Sequence, residues 1–388
     1  MKIANRAYLD CNATHPLLPE ARQAVIDALD LPGNPSSVHK EGRAARQVIE
    51  ASRRAVAAAV NGIAEFVTFT AGATEAANLL LTPYWQMGRS KLAIGGLFVC
   101  ATEHPCMLAG GQFAADAITI VPVTPSGELS LAALEAALTA HDKSIGLPLV
   151  AVQHANNETG VVQPVGAIAS IVKAHGGILI VDAVQTLGRD PLDISSGCGD
   201  FFILSSHKIG GPKGAGAIIG VTDLMMPAPL LRGGGQEKGR RAGTEALPAI
   251  AGFGAAANLV AARLERAGDL SLMRDHIEAI ISEACPDAVF HGTGAAERLP
   301  NTTFFSIPAM SSETLQIAFD LAGVAVSAGS ACSSGKVGPS HVLKAMGVEG
   351  ADGAIRVSVA LETSAGDIEK FADALRGICA RRAASKST

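Results

Sequence analysis

The chain has 388 residues, 48% hydrophobic and 17% charged, which excludes a disordered chain and supplies a large apolar core. That length suits one large domain and one smaller one. The net charge of -5 lacks the basic footprint of a nucleic-acid binder, so no direct nucleic-acid partner is expected.

The chain opens Met1-Lys2-Ile3-Ala4-Asn5-Arg6 and runs into Tyr8-Leu9-Asp10 without the apolar core of a secretion signal. Short β-rich runs then alternate with helical patterns. In order, a strand is predicted over 66–70, a helix over 73–81, a strand over 97–101, a helix over 105–115, a strand over 118–123 and a helix over 131–140. A strand over 147–153, a helix over 165–175 and strands over 178–182, 201–205 and 215–221 follow. Most of these strands are continuous apolar runs, as expected for strands buried on both faces. The alternation implies an α/β fold, a mostly parallel sheet with helices on both sides.

The longest uncharged stretch lies between Glu245 and Arg263, carries Pro248 and Asn258, and reads as a packed helix. No membrane partner is expected. Beyond about residue 262 the pattern changes. Helices near 270–284, 312–322 and 365–382 mix with short strands near 302–306 and 355–359. These patterns predict a large domain of residues 16–262 and a small α+β domain from residues 1–15 and 263–388. The seven cysteines show no CxxC or regular spacing and read as free thiols of a reducing cytoplasm.

Several strand ends carry chemistry. Ala71-Gly72-Ala73-Thr74-Glu75 leads from a strand into a helix. Free amides, the helix dipole and the Thr74 hydroxyl suit an anion there, and equally a threonine-capped turn. Asp182 ends an apolar strand, where ligands of open α/β sheets bind. Buried, it needs a partner: a protonated pyridine nitrogen is one, the start of a helix another. Lys208, in Ser205-Ser206-His207-Lys208, follows the next strand. If desolvated at that edge, its amine can form a Schiff base and shuttle protons; otherwise it is a surface lysine.

His104 follows the strand at 97–101 and can stack on a flat ring or relay a proton. Asn157 follows the strand at 147–153 and can reach a ring oxygen or a substrate, or simply build a turn. The basic, glycine-rich loop from Gly233 to Thr244 can close on an anion or merely connect. Arg356, inside an apolar strand pattern, needs a carboxylate, from an amino-acid substrate or from the chain itself. Cys332 lies among Ser, Ala and Gly residues that pack poorly, so its thiol is expected to be accessible, whereas Cys100 reads as a core thiol. An aldehyde-binding lysine with an attacking cysteine suggests carbon–sulfur cleavage on an amino acid.

With these residues assembled, the chain resembles the cysteine desulfurases of the IscS/NifS type, in the class V branch of fold-type I pyridoxal-phosphate enzymes. The resemblance runs from Tyr8-Leu9-Asp10 to Ile355-Arg356-Val357-Ser358. It implies pyridoxal 5'-phosphate as cofactor, L-cysteine as substrate, and L-alanine plus an enzyme persulfide as products. By matching position, Lys208 would hold the cofactor as a Schiff base, and Asp182 and Gln185 would bind its pyridine nitrogen and ring hydroxyl. Ala73 would line the phosphate site, with Thr74, Ser205 and His207 binding the phosphate. His104 would stack on the ring and act in catalysis. Asn157 would bind cofactor and substrate, Arg356 the substrate carboxylate, and Cys332 would carry the persulfide. Thr244 would reach the phosphate of the other subunit, which implies a homodimer.

A sulfur-acceptor protein, such as an iron–sulfur scaffold, is the implied partner in the cytoplasm. No resident metal is implied, and transient ligation of a cluster by Cys332 stays open. Selenocysteine lyase and small-substrate aminotransferase remain the neighbouring readings. The chain departs from the family at three places. Ala13-Thr14-His15-Pro16, preceded by Cys11, stands where Ala-Thr-Thr-Pro is frequent. Gly210 replaces a frequent aromatic, and Lys336-Val337-Gly338-Pro339-Ser340 lacks an acidic residue before its Pro-Ser pair. None removes a group the reaction needs; they bear on the choice of acceptor.

Overall fold

The computed structural model describes residues 6–329, 339–349 and 353–386. Nine strands among the described residues form one sheet. Its centre is parallel: Ser90–Cys100, Leu147–Gln153, Ile178–Asp182 and Phe201–Ser205 lie side by side, and Ile118–Val121 pairs with Ser90–Cys100. The margins are antiparallel. Tyr84–Met87 and Met225–Pro227 close one side, and Gly216–Gly220 and Val67–Thr70 the other.

The continuous apolar runs have a simple cause. Leu149, Ile180, Phe201 and Ile203 enter one core, while their neighbours Val150, Val181, Phe202 and Leu204 enter another across the sheet. A period of two therefore divides a single apolar run between two buried faces. Helix Ala73–Leu80 packs on the first face through Ala76, Ala77, Leu79 and Leu80. Helices Lys40–Ala58, Leu131–Ala140, Val165–Ala174 and Leu247–Ala257 contribute to the second.

The structure differs from the sequence expectation at several places. The run at 97–101 is only the end of strand Ser90–Cys100. Gly95 and Gly96 hide its first half, and the register with Leu147–Gln153 shifts there. The helix expected over 105–115 stops after Pro105–Leu108, because Gly110 and Gly111 take left-handed backbone angles of 71° and 57°. The stretch between Glu245 and Arg263 forms two helices, Leu247–Ala257 and Val260–Leu264. Among the described residues no helix is long and apolar enough to cross a membrane. Helices Pro19–Leu29 and Lys40–Ala58 give little apolar signal. The latter buries Ala45, Ile49, Ser52 and Val56, one narrow stripe on an otherwise charged helix.

A separate core forms around the antiparallel sheet of Val289–Phe290, Thr302–Ser306, Ala354–Ser358 and Ser327–Ala328. Helices Ala267–Ala284, Ser312–Leu321 and Ala365–Lys386 cover it, with Phe319 and Phe371 stacked at 5.3 Å. Ala7 and Leu9 belong to this core, and strand Ala7–Tyr8 pairs in parallel with Val324–Ala325. The next few residues leave it and cross to the large sheet. Asn12 is fully buried there, donating from its side chain to Thr302 Oγ1 at 2.9 Å while its carbonyl accepts from Lys208.

Candidate active site

Parallel strands place their carboxyl ends along one edge of a sheet, and the residues that follow converge there. In this sheet those ends are Cys100, Gln153, Asp182 and Ser205. A cavity of about 480 Å³ opens at that edge. Ala73, Thr74, His104, Asn157, Asp182, Gln185, Ser205, His207 and Lys208 all line it. Sequence reasoning left out Asn12, Cys106, Gln153 and Lys213, which line it as well. Gln153 could have been found as the residue paired with Asp182 on the neighbouring strand. Asn12 sits in a short turn and Cys106 in the single-turn helix Pro105–Leu108, and neither carries a local signal.

One wall is the start of helix Ala73–Leu80. Its first amides have no partner within the helix, and nothing would approach a Cβ at Gly72 within 4 Å. Behind it, strand Gly216–Gly220 comes so close that a Cβ on Gly216 would meet Gly72 Cα at 2.7 Å. Arg241 holds Glu75 of the first turn at 2.8 Å, and Lys208 and Lys213 line the same cavity. Amides and cations together make this wall an anion site.

Asp182 ends strand Ile178–Asp182, and its Oδ1 accepts the Val184 amide at 2.9 Å. Burial pushes its carboxyl up to about 6, against the Val184 amide and the Lys208 charge, which favour the ionised form. Gln185 donates to the Asn12 carbonyl at 3.1 Å, and its Oε1 is buried without a protein partner among the described residues. Lys208 Nζ donates to the carbonyls of Asn12 and Ala13 at 2.7 and 3.0 Å. The lysine is therefore held at the cavity by the segment that crosses from the other core.

His104 caps helix Pro105–Leu108 and accepts the Cys106 amide at Nδ1, 3.2 Å away, with Cys106 Sγ also 3.0 Å from that nitrogen. A backbone amide can only donate, so Nδ1 is the bare nitrogen and the ring proton sits on Nε2. Burial, then the charge of Lys208, lowers this imidazole to about 4, so the ring is neutral. His207 is lowered to about 4 in the same way, and its Nδ1 lies 3.1 Å from Thr14 Oγ1. Glu103 is fully buried, and burial followed by the Asp182 charge raises it well above the usual carboxylate range.

Two of the described residues named from the sequence, Thr244 and Arg356, do not line this cavity. Thr244 lines a smaller one, shared with Ala71 and Gly214, which border both. Arg356 lies against Asn157, a lining residue: its Nη1 donates to the Asn157 carbonyl at 2.8 Å and its Nη2 pairs with Asp10. Of the two readings of Arg356, the structure displays the internal ion pair. Cys332 lies outside the described residues.

The chain matches the aminotransferase class-V family over residues 7–371. It belongs to that family. Among class-V relatives it is 37% identical over 378 residues to a cysteine desulfurase of Cereibacter sphaeroides, with 95% of each chain covered. A NifS-like protein from Rickettsia africae superposes with a TM-score of 0.84 at 33% identity, covering 96% of this chain and 99% of that one. A structure described as SspA in complex with cysteine superposes with a TM-score of 0.73 at 26% identity, covering 91% and 99%. The architecture, a parallel-centred sheet flanked by helices with a second α+β core, is that of fold-type I pyridoxal-phosphate enzymes.

Proposed function

We propose that this class-V protein is a cysteine desulfurase that uses pyridoxal 5'-phosphate. It converts L-cysteine to L-alanine and keeps the sulfur on Cys332 as a persulfide, for an iron–sulfur scaffold or another acceptor. One observation carries the reading: a strand-end carboxylate, Asp182, and a strand-end amine, Lys208, open on one cavity with a bare helix start.

The residues fit the cofactor. The amides of Ala73, Thr74 and Glu75, with Ser205 and His207, suit its phosphate. Asp182, costly to bury alone, suits a protonated ring nitrogen, and Gln185 Oε1, without a partner among the described residues, marks an amide with bonding capacity to spare. Bound there, the cofactor supplies an electron sink for the substrate Cα.

Lys208, exchanging its contacts with Asn12 and Ala13, removes the Cα proton and returns it. Arg356 and Asn157 orient the substrate. His104, with its proton on Nε2, presents a donor rather than an acceptor at the substrate. The Cys332 thiolate attacks the substrate sulfur, so that a sulfur–sulfur bond forms as the carbon–sulfur bond breaks. The carbon gains a proton, alanine leaves, and another thiol removes the persulfide. Thr244 serves the phosphate of a second copy in a cytoplasmic homodimer, which suits its position outside this cavity. Residues 16–262 form the cofactor domain, and residues 1–15 and 263–388 the small domain.

The test is alanine release from L-cysteine by the purified protein, with and without a reducing thiol. Stoichiometric alanine without reductant, and sustained alanine plus sulfide with it, is the expected result. In Cys332→Ala, cofactor colour should persist while alanine formation stops. A coloured wild-type protein that releases no alanine from cysteine overturns the reading in favour of selenocysteine or amino/keto acid pairs.

A further inference from the structure

Two thiols unrelated to the cavity meet in the second core. Cys285 ends helix Ala267–Ala284, and Cys379 lies on helix Ala365–Lys386. Cys285 is part of one buried hydrophobic cluster and Cys379 packs against that same cluster, and the Cys379 thiol is close enough to act on the Cys285 thiol. Arg382 confirms the alignment of the helices. It lies three residues beyond Cys379, on the same helical face, and its Nη1 is 3.5 Å from Cys285 Sγ. Its guanidinium also pairs with Asp287, whose Oδ1 accepts from the Cys285 thiol at 3.2 Å. Cys285 is 2% exposed, while Cys379 is partly open to solvent.

We propose that Cys285 and Cys379 form a thiol–disulfide exchange site, oxidised by low-molecular-weight disulfides to an intramolecular bridge that ties the last helix to Ala267–Ala284. The order of events follows from exposure. The Cys379 thiolate attacks an external disulfide, forms a mixed disulfide and releases one thiolate. Cys285 then attacks Cys379 Sγ, forms the bridge and releases the second thiolate. Two protein thiols lose their protons and two electrons, and the external disulfide becomes two thiols. Burial, then the bond to Asp287, pushes the Cys285 thiol up to about 12, so it waits for Cys379 to react. The site is independent of the reaction proposed above.

The test uses the whole native protein incubated with oxidised glutathione, quenched by alkylation and digested without reductant for mass spectrometry. The expected product is a single peptide pair joined through Cys285 and Cys379, lost on adding dithiothreitol and accompanied by a rise in Tm. Cys285→Ala should stop at glutathione on Cys379. Cys379→Ser should leave Cys285 unmodified until the protein is unfolded. Glutathione retained on Cys379 of the wild type without the bridge, a bridge between two copies, or glutathione on native Cys285 in Cys379→Ser would each overturn the proposal.

Discussion

Arg356 Nη2 lies 2.6 Å from Asp10 Oδ1, joining two residues 346 positions apart in the chain. The guanidinium is 2% exposed on strand Ala354–Ser358, and Asp10 is its carboxylate partner. A buried cation without its partner is costly. Asp10→Asn should therefore destabilise the protein by about 2 kcal/mol, less than a fully buried pair because Asp10 is partly exposed. In the proposed reaction the substrate carboxylate also competes with Asp10 for Arg356. The same variant should thus lower the KM for L-cysteine. Urea unfolding and steady-state kinetics check the two effects, and an unchanged midpoint would show that the pair contributes nothing.

Lys208 is held by two backbone carbonyls at the cavity edge and is the amine assigned to proton transfer in the proposed reaction. Lys208→Ala should lower kcat by at least ~100-fold, the scale of a lost proton-transfer group. It should also change the visible absorbance of the bound cofactor. A variant that retains both the spectrum and kcat would remove Lys208 from the reaction.

Glu158 is buried, accepts from Ser340 Oγ at 2.5 Å, and is raised from 4.5 to about 7, chiefly by burial. The folded protein therefore holds this proton over a pH range in which the unfolded chain has released it. Its contribution to stability is fully present below pH 4.5 and is lost as pH rises through 7. The loss is at most about 3 kcal/mol. Glu158→Gln, which keeps the shape and cannot ionise, should gain stability relative to wild type between pH 5 and pH 8. Parallel urea midpoints of the two proteins across that range would contradict the shifted carboxyl.

Gly216 brings strand Gly216–Gly220 against the start of helix Ala73–Leu80. A methyl group there would meet Gly72 Cα at 2.7 Å and Ala73 N at 3.0 Å, both backbone atoms with little freedom to yield. Gly216→Ala should displace the helix start and weaken binding of pyridoxal 5'-phosphate about 10-fold, equivalent to roughly 1.4 kcal/mol of the overpacking range. Titration of the cofactor-free protein, followed by absorbance, measures it. Equal affinity would separate the helix start from the phosphate site.

The strand-end residues were legible because each is marked locally. Asp182, Lys208 and Gln185 stand directly after apolar runs whose pattern reveals buried parallel strands. Strand Ser90–Cys100 was half hidden, since glycines erase the side-chain pattern on which such reading depends. Helix Lys40–Ala58 was unmarked because its buried stripe is narrow and its surface charged. Asn12 carried no local mark at all, since its role comes from partners on Thr302 and Lys208.

By itself, then, the sequence determined the alternation of strands and helices and the chemical groups at the strand ends, because both are written over a few consecutive residues. Tertiary structure alone decided that Asp10 occupies Arg356, that the segment around Asn12 holds Lys208, that Thr244 stands outside the cavity and that Cys285 meets Cys379. The pairings among these join residues far apart in the chain, and they are fixed only when distant segments pack together.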